Sequence, residues 1–185
     1  MDTVQGSLEE AAAATFTRPV PKTARAQMRF LVHQAKGSTR AVAGLLGISQ
    51  RTVERYLTGQ FKRPRPDLAA RLADEVRKRW QPRVRERARQ QAATAGGLVI
   101  ETRARFGFTA APGTTDDSRI RRITQHLPPQ YAARLFTAQA AGADEQQLRE
   151  IAAEGLQDIY FKDRGRRAEG LQVEFTDIDY VTIDY

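Results

Sequence analysis

Between Ser38 and Thr58 the chain carries a block whose spacing admits few folds: Ser38-Thr39-Arg40-Ala41-Val42-Ala43-Gly44-Leu45-Leu46-Gly47-Ile48-Ser49-Gln50-Arg51-Thr52-Val53-Glu54-Arg55-Tyr56-Leu57-Thr58. Ser38 or Thr39 can cap a first short helix, because a short side-chain oxygen satisfies amide groups that the first turn leaves free. Ala43 is small where a second helix would cross closely. Gly47 stands where the chain must leave the first helix in a left-handed conformation, which glycine adopts at least cost. Ser49 can cap the second helix, and Leu46, Ile48, Val53 and Leu57 supply a small apolar core. The block therefore predicts a helix-turn-helix.

Such a second helix would leave Gln50, Arg51, Thr52 and Arg55 exposed near its N-terminus. Arginine can grip guanine and glutamine can grip adenine in the major groove, which this motif enters through the start of its second helix. An ordinary helical hairpin is the plainer alternative, but it would not need the glycine, the caps and the small residue together. The spacing says nothing of which DNA sequence is read.

The distribution of charge favours the same reading. Residues 18–95 carry 19 Lys/Arg against 5 Asp/Glu, a formal +14, whereas residues 1–17 and residues 96–185 each sum to −3. Only the middle segment has the electrostatic footprint of a polyanion binder. Arg40, Lys62 and Arg63 add to it, as does a basic stretch of Arg77, Lys78, Arg79, Arg83, Arg85, Arg87 and Arg89. These cations, with Trp80 among them, are expected to meet phosphates or exposed bases. After Pro82 the alternating arginines fit either a helix or an extended arm lying in a groove.

The remaining pattern predicts a mainly α protein with a small α+β C-terminal part. Residues 1–21 read as a flexible leader with one short helix over Leu8 to Ala14. Residues 22–95 read as the helix-turn-helix domain with its arginine-rich extension: one helix from Lys22 to a stop at Gly37, the two short helices, a stiff linker over Lys62 to Pro66, and a helix capped by Asp67. That helix would present Leu68, Leu72, Val76 and Trp80 on one face, and Gly96-Gly97 marks the boundary. Residues 98–185 read as the α+β domain. Leu98 to Phe108 alternates as a strand, Arg119 to Gln125 is a second, Pro128-Pro129 and Ala143-Asp144 open helices, and Leu171 to Tyr185 forms one or two strands. That last segment holds four acids and no base, and it is expected either to touch a partner protein or to be buried in its own domain.

Other chemistry finds little support. The chain has no cysteine, so disulfides and thiolate metal sites are excluded. His33 and His126 lack ligand partners at metal-binding spacing, and Gly113-Thr114-Thr115 lacks the lysine of a phosphate-binding loop. No apolar run approaches the roughly 18–20 residues needed to span a bilayer, and the expectation is a cytoplasmic protein without a membrane partner. Thr114 and Thr115 stand beside Asp116 and Asp117 in a stretch made almost wholly of turn formers, which ordinary loop chemistry also explains.

In length and in the order of these motifs the chain resembles the terminal proteins of linear Streptomyces chromosomes and plasmids, the Tpg family. The resemblance is carried by the helix-turn-helix over Arg40 to Leu57, the basic stretch Arg77 to Arg89, the run from Phe106-Gly107-Phe108 to Asp117, and the acidic, aromatic end. It implies covalent attachment to the 5′ ends of telomeric DNA, with a threonine hydroxyl, here matched by Thr114, priming end-patching synthesis. It also implies two partners, a DNA polymerase and a telomere-associated protein that binds the single-stranded overhang, and a location in the nucleoid at replicon ends. On this reading the protein is a primer and has no cofactor of its own, Mg²⁺ and deoxynucleotide being supplied through the polymerase. Thr115, Asp116 and Asp117 would complete the priming loop, and a second copy of the chain is an admissible partner. Two rivals remain open: a transcriptional regulator whose C-terminal half dimerises or binds an effector, and a self-nucleotidylating enzyme with Asp116 and Asp117 as metal ligands.

Overall fold

Helices of 8 and 9 residues, such as those at Thr39–Leu46 and Gln50–Thr58, are too short to be stable in water alone, where about 12–15 residues are needed. They persist only by packing. The computed structural model describes residues 3–109, 120–162 and 171–185, and these form two compact units, Thr17–Pro82 and Met1–Phe16 with Arg83–Tyr185. The described residues are mainly α-helical with one three-stranded antiparallel sheet near the C-terminus, as the sequence predicts.

The unit Thr17–Pro82 holds α2 (Ala24–Gln34), α3 (Thr39–Leu46), α4 (Gln50–Thr58) and α5 (Pro66–Arg79). Met28 and Leu31 of α2, Val42 and Leu46 of α3, Val53 and Tyr56 of α4, and Leu72 and Val76 of α5 form one buried core. Each large aliphatic chain in it contributes about 1.5–3 kcal/mol through burial, which is what holds the two short helices. Asp67 is not the cap of α5. Arg65 takes that place, Pro66 opens the helix at its first position, where a missing N–H costs nothing, and Asp67 lies in the first turn.

The helix α5 ends at Trp80, ahead of Pro82. Trp80 packs edge-on to Phe30 at 4.9 Å and its indole N–H donates to the Arg18 carbonyl at 3.0 Å. Gln81 then clasps Thr17, accepting from its backbone N–H at 2.9 Å and donating to its hydroxyl at 3.1 Å. These bonds fasten the segment entering α2 to the segment leaving α5.

The other unit is built on the sheet β2-β1-β3, with β1 (Leu98–Thr109) in the middle, β2 (Ile120–Leu127) on one side and β3 (Gln172–Asp184) on the other. Leu98, Ile100, Thr102, Ala104 and Phe106 of β1 are buried, as their alternation demands. The C-terminal segment is one strand, with Val173, Val181 and Ile183 in the core of its own unit. Register shifts opposite Arg103/Ala104 and Arg105/Phe106 break its alternation. Against the buried side lie α7 (Pro129–Ala140) and α8 (Glu145–Leu156), the latter opened by a reciprocal Asp144–Gln147 capping box.

The N-terminal residues are not a flexible leader. They form α1 (Val4–Ala14), with Val4 and Leu8 fully buried in the sheet's core. The Glu145 carboxylate accepts from the backbone N–H groups of Val4 at 2.8 Å and Gln5 at 3.0 Å, satisfying the free amides at the helix start. Ser7, also buried, donates to the Val181 carbonyl. The arginine-rich extension likewise belongs to this unit: α6 (Pro82–Gln91) continues into a π-helical turn, Ala92–Gly96, that packs on the same core through Ala92.

Two glycines mark the conformational limits. Gly47 has φ 64° with no atom within 4 Å of where a Cβ would sit, so Gly47→Ala should cost only backbone strain, about 1–2 kcal/mol. At Gly97, φ 68°, a Cβ would fall 2.2 Å from the Leu127 carbonyl oxygen and 2.9 Å from the His126 ring. Gly97→Ala should therefore destabilise its unit by about 4 kcal/mol or more. Thermal and urea unfolding of both variants check this, and equal losses would contradict it.

Candidate nucleic-acid interface

The turn between α3 and α4 is a complete Schellman motif. The Ile48 N–H donates to Ala43 O at 3.0 Å, the Gly47 N–H donates to Gly44 O at 3.3 Å, and Gly47 supplies the left-handed residue. Ile48 folds back half-buried against the core. Ser38 caps α3 by accepting from the Ala41 N–H at 3.1 Å, and Ser49 caps α4 by accepting from the Thr52 N–H at 3.1 Å. Ala43 is buried. The caps, the left-handed turn and the small residue at position 43 that the sequence predicts for a helix-turn-helix are thus present.

With Val53 and Tyr56 turned into the core, α4 exposes Gln50, Arg51, Glu54 and Thr58 and leaves Thr52 and Arg55 half-buried. Arg51 has no ion-pair partner among the described residues. Arg55 is engaged differently: its guanidinium lies 5.3 Å from the centre of the Phe61 ring, which itself meets Tyr56 edge-on at 5.5 Å. The Gln50 side-chain amide donates to Thr39 Oγ1 at 3.0 Å and to Glu54 Oε1 at 3.1 Å. Both amide hydrogens are thereby used, so pairing with adenine requires their release. In the form seen here, Gln50 links the starts of α3 and α4.

Arg40 is exposed in the first turn of α3, and Lys62 and Arg63 are exposed just beyond α4. Sequence reasoning missed Arg25, whose Nε–H donates to the Leu57 carbonyl at 3.0 Å and so satisfies the end of α4. No local signal marks it, since the bond joins residues 32 apart. The unit Thr17–Pro82 holds 15 Lys/Arg against 4 Asp/Glu, a formal +11, and the other unit holds 15 against 18, a formal −3.

The basic stretch divides. Arg77, Lys78 and Arg79 end α5, where cations complement the helix dipole. Lys78 pairs with Asp74 at 2.7 Å, and Arg79 pairs with Glu75. Trp80 is packed on Phe30, not displayed for bases. In α6 the helical period separates the arginines that an extended arm would have kept together. Arg83 and Arg87 are exposed, whereas Arg85 and Arg89 are half-buried. Arg89 donates to Gln139 Oε1 at 2.5 Å and lies 5.3 Å from the Phe136 ring centre. Burial, and then the neighbouring Arg89 charge, push the Arg85 guanidinium below its usual range. These two are packing residues more than displayed cations.

Thr114, Thr115, Asp116 and Asp117 lie outside the described residues. No helix among the described residues is long and apolar enough to cross a membrane. Comparison with protein-family models, curated proteins and solved structures finds no match to this chain.

Two outcomes test this division of labour. Arg51→Ala should weaken duplex binding by about 1–3 kcal/mol at unchanged melting temperature, while Arg55→Ala should also lower stability by about 0.5–1 kcal/mol, because the guanidinium no longer lies over Phe61. Unchanged affinity in both folded variants would remove α4 from the interface. Replacing Arg83 and Arg87 by alanine should flatten the slope of log affinity against log salt by about 0.9 for each duplex phosphate no longer neutralised. Replacing Arg85 and Arg89 should instead destabilise the fold by about 1–3 kcal/mol. The reverse assignment would contradict the observed faces of α6.

Proposed function

We propose that the protein binds duplex DNA through α4 and serves as a terminal protein of a linear replicon, at chromosome or plasmid ends in the nucleoid. The observation that carries the DNA-binding part is the exposed Gln50–Arg51 start of α4, set by the left-handed turn at Gly47 within a unit of formal charge +11. The terminal role rests on the resemblance to the Streptomyces proteins and assigns the priming hydroxyl to Thr114.

In the proposed reaction the Thr114 oxygen attacks the α-phosphorus of a deoxynucleoside triphosphate. A phosphoester bond forms to the threonine, pyrophosphate leaves, and the hydroxyl proton passes to a base or water in the polymerase site. The polymerase supplies the Mg²⁺ ions that neutralise the developing charge. A threonine suits the task because, like the deoxyribose 3′-OH, it is a secondary alcohol. Asp116 and Asp117 would stand in for primer phosphates, and the telomere-associated single-strand-binding protein would bring the terminal protein to the DNA end.

The test is labelling with an α-³²P deoxynucleotide and Mg²⁺, with and without polymerase, followed by hot detergent. Polymerase-dependent label that survives detergent is expected in the native chain and absent from Thr114→Ala, with duplex binding intact. Thr114→Ser should retain part of the label. Label formed without polymerase would favour the self-nucleotidylating reading. Complete loss of DNA to detergent, with no label, would leave a regulator. Label mapped to Thr115 would move the residue and keep the mechanism.

A further inference from the structure

The segment that leaves α4 carries a feature that the helix-turn-helix alone does not use. Beyond Gly59 (φ 83°), Phe61-Lys62-Arg63-Pro64-Arg65 runs without helix or strand until Pro66 opens α5. Its start is fastened to α4: the Phe61 N–H donates to Arg55 O at 3.2 Å, and the ring is held between Arg55 and Tyr56. Its end is fastened by α5. Arg65 adopts φ −61° and ψ 153°, the polyproline II conformation, and Arg63 is directed to extended geometry by the proline that follows it.

Lys62, Arg63 and Arg65 are exposed and make no ion pair among the described residues. The nearest acid in sequence, Asp67, is already paired with Arg71 at 3.3 Å. Three exposed cations close together on one short strap form a local positive patch suited to an anionic partner. A strap that continues the Arg65 conformation back to Lys62 has three residues per turn and places Lys62 and Arg65 on one edge. The three residue steps from Lys62 to Arg65, at about 3.1 Å each, cover about 9 Å, which is longer than the roughly 6 Å width of a minor groove.

We propose that Lys62–Arg65 is a minor-groove arm that reads narrow, A/T-rich DNA flanking the site entered by α4. Arginine and lysine are drawn into such grooves by their enhanced negative potential. Pro64 and Pro66 limit the freedom the arm loses on binding, which favours affinity through preorganisation. The inference rests on the reading of α4 as the major-groove helix, and its test separates the two.

The probe is the duplex that the full chain selects from a random-sequence pool, examined by dimethyl sulfate interference. Methylation at guanine N7 reports the major groove and at adenine N3 the minor groove. The native chain should show N7 interference and, alongside it, N3 interference at flanking A/T pairs, with binding competed by netropsin. The triple variant Lys62→Ala/Arg63→Ala/Arg65→Ala should lose the N3 signal and about tenfold or more in affinity while keeping the N7 pattern. Pro64→Gly, which keeps every charge, should weaken binding several-fold and guards against a folding artefact of the triple variant. N7 interference without N3 interference in the native chain overturns the arm and leaves α4 in place, and so does an N3 pattern that survives the triple substitution. A flatter salt slope with no N3 signal also overturns it, since the cations would then touch phosphates alone. Failure of the native chain to retain any duplex overturns the arm and the proposed DNA binding together.

Discussion

A left-handed residue at position 47 sets the angle between two helices that are each too short to fold alone. Gly47 stops α3, its neighbour Ile48 folds back onto the core, and Ser49 starts α4 on the new heading. Everything proposed about recognition depends on that heading. The core formed by Met28, Leu31, Val53, Leu72 and Val76 holds it from below, and Trp80 and Gln81 fasten the ends of the unit together. With Val53 and Tyr56 committed to that core, the start of α4 has only Gln50 and Arg51 to offer at full exposure.

Charge divides between the two units as it divides along the chain. The helix-turn-helix unit is strongly basic, and the sheet unit is slightly acidic although it contains the four arginines of α6. Two of those arginines serve packing: Arg89 reaches Gln139 and Phe136, and Arg85 is half-buried near it. Elsewhere the sheet answers its own charges, Arg103 with Asp179 at 2.7 Å and Arg122 with Glu101 at 2.7 Å. Glu101 is held below its ordinary range by hydrogen bonds from Arg122 and Tyr180. Such exposed pairs add little stability, but they leave this side of the sheet less electropositive than its arginines alone suggest.

What can be read from residues is local. The cap at Ser49, the cap offered by Ser38 or Thr39 and taken by Ser38, the helix opened at Ala143-Asp144, the stop at Gly47 and the alternation of Ile100, Thr102, Ala104 and Phe106 are written within a few positions of where they act, and each is found. What cannot be read is distant or ambiguous. The start of α1 is held by Glu145, 141 positions away from Val4, so a short alanine-rich segment reads as a leader. The arginines after Pro82 suit a helix or an extended arm, and only the helix separates Arg83 and Arg87 from Arg85 and Arg89. The side chain of Gln50 is legible as exposed, but its ties to Thr39 and Glu54 cross from one helix to another and along α4. The expected domain boundary at Gly96-Gly97 is displaced for the same reason: Gly97 is demanded by close packing against Leu127, not by a linker.

If DNA meets the protein at α4, backbone amide shifts of the isotope-labelled full chain, titrated with selected duplex, will show it most directly. The largest changes are predicted at Thr39, Arg40 and Gln50 to Arg55, with residues buried beneath them, such as Val42, changing least. Silence across α4, with saturable changes confined to the unit that contains the sheet, would contradict DNA binding through this helix.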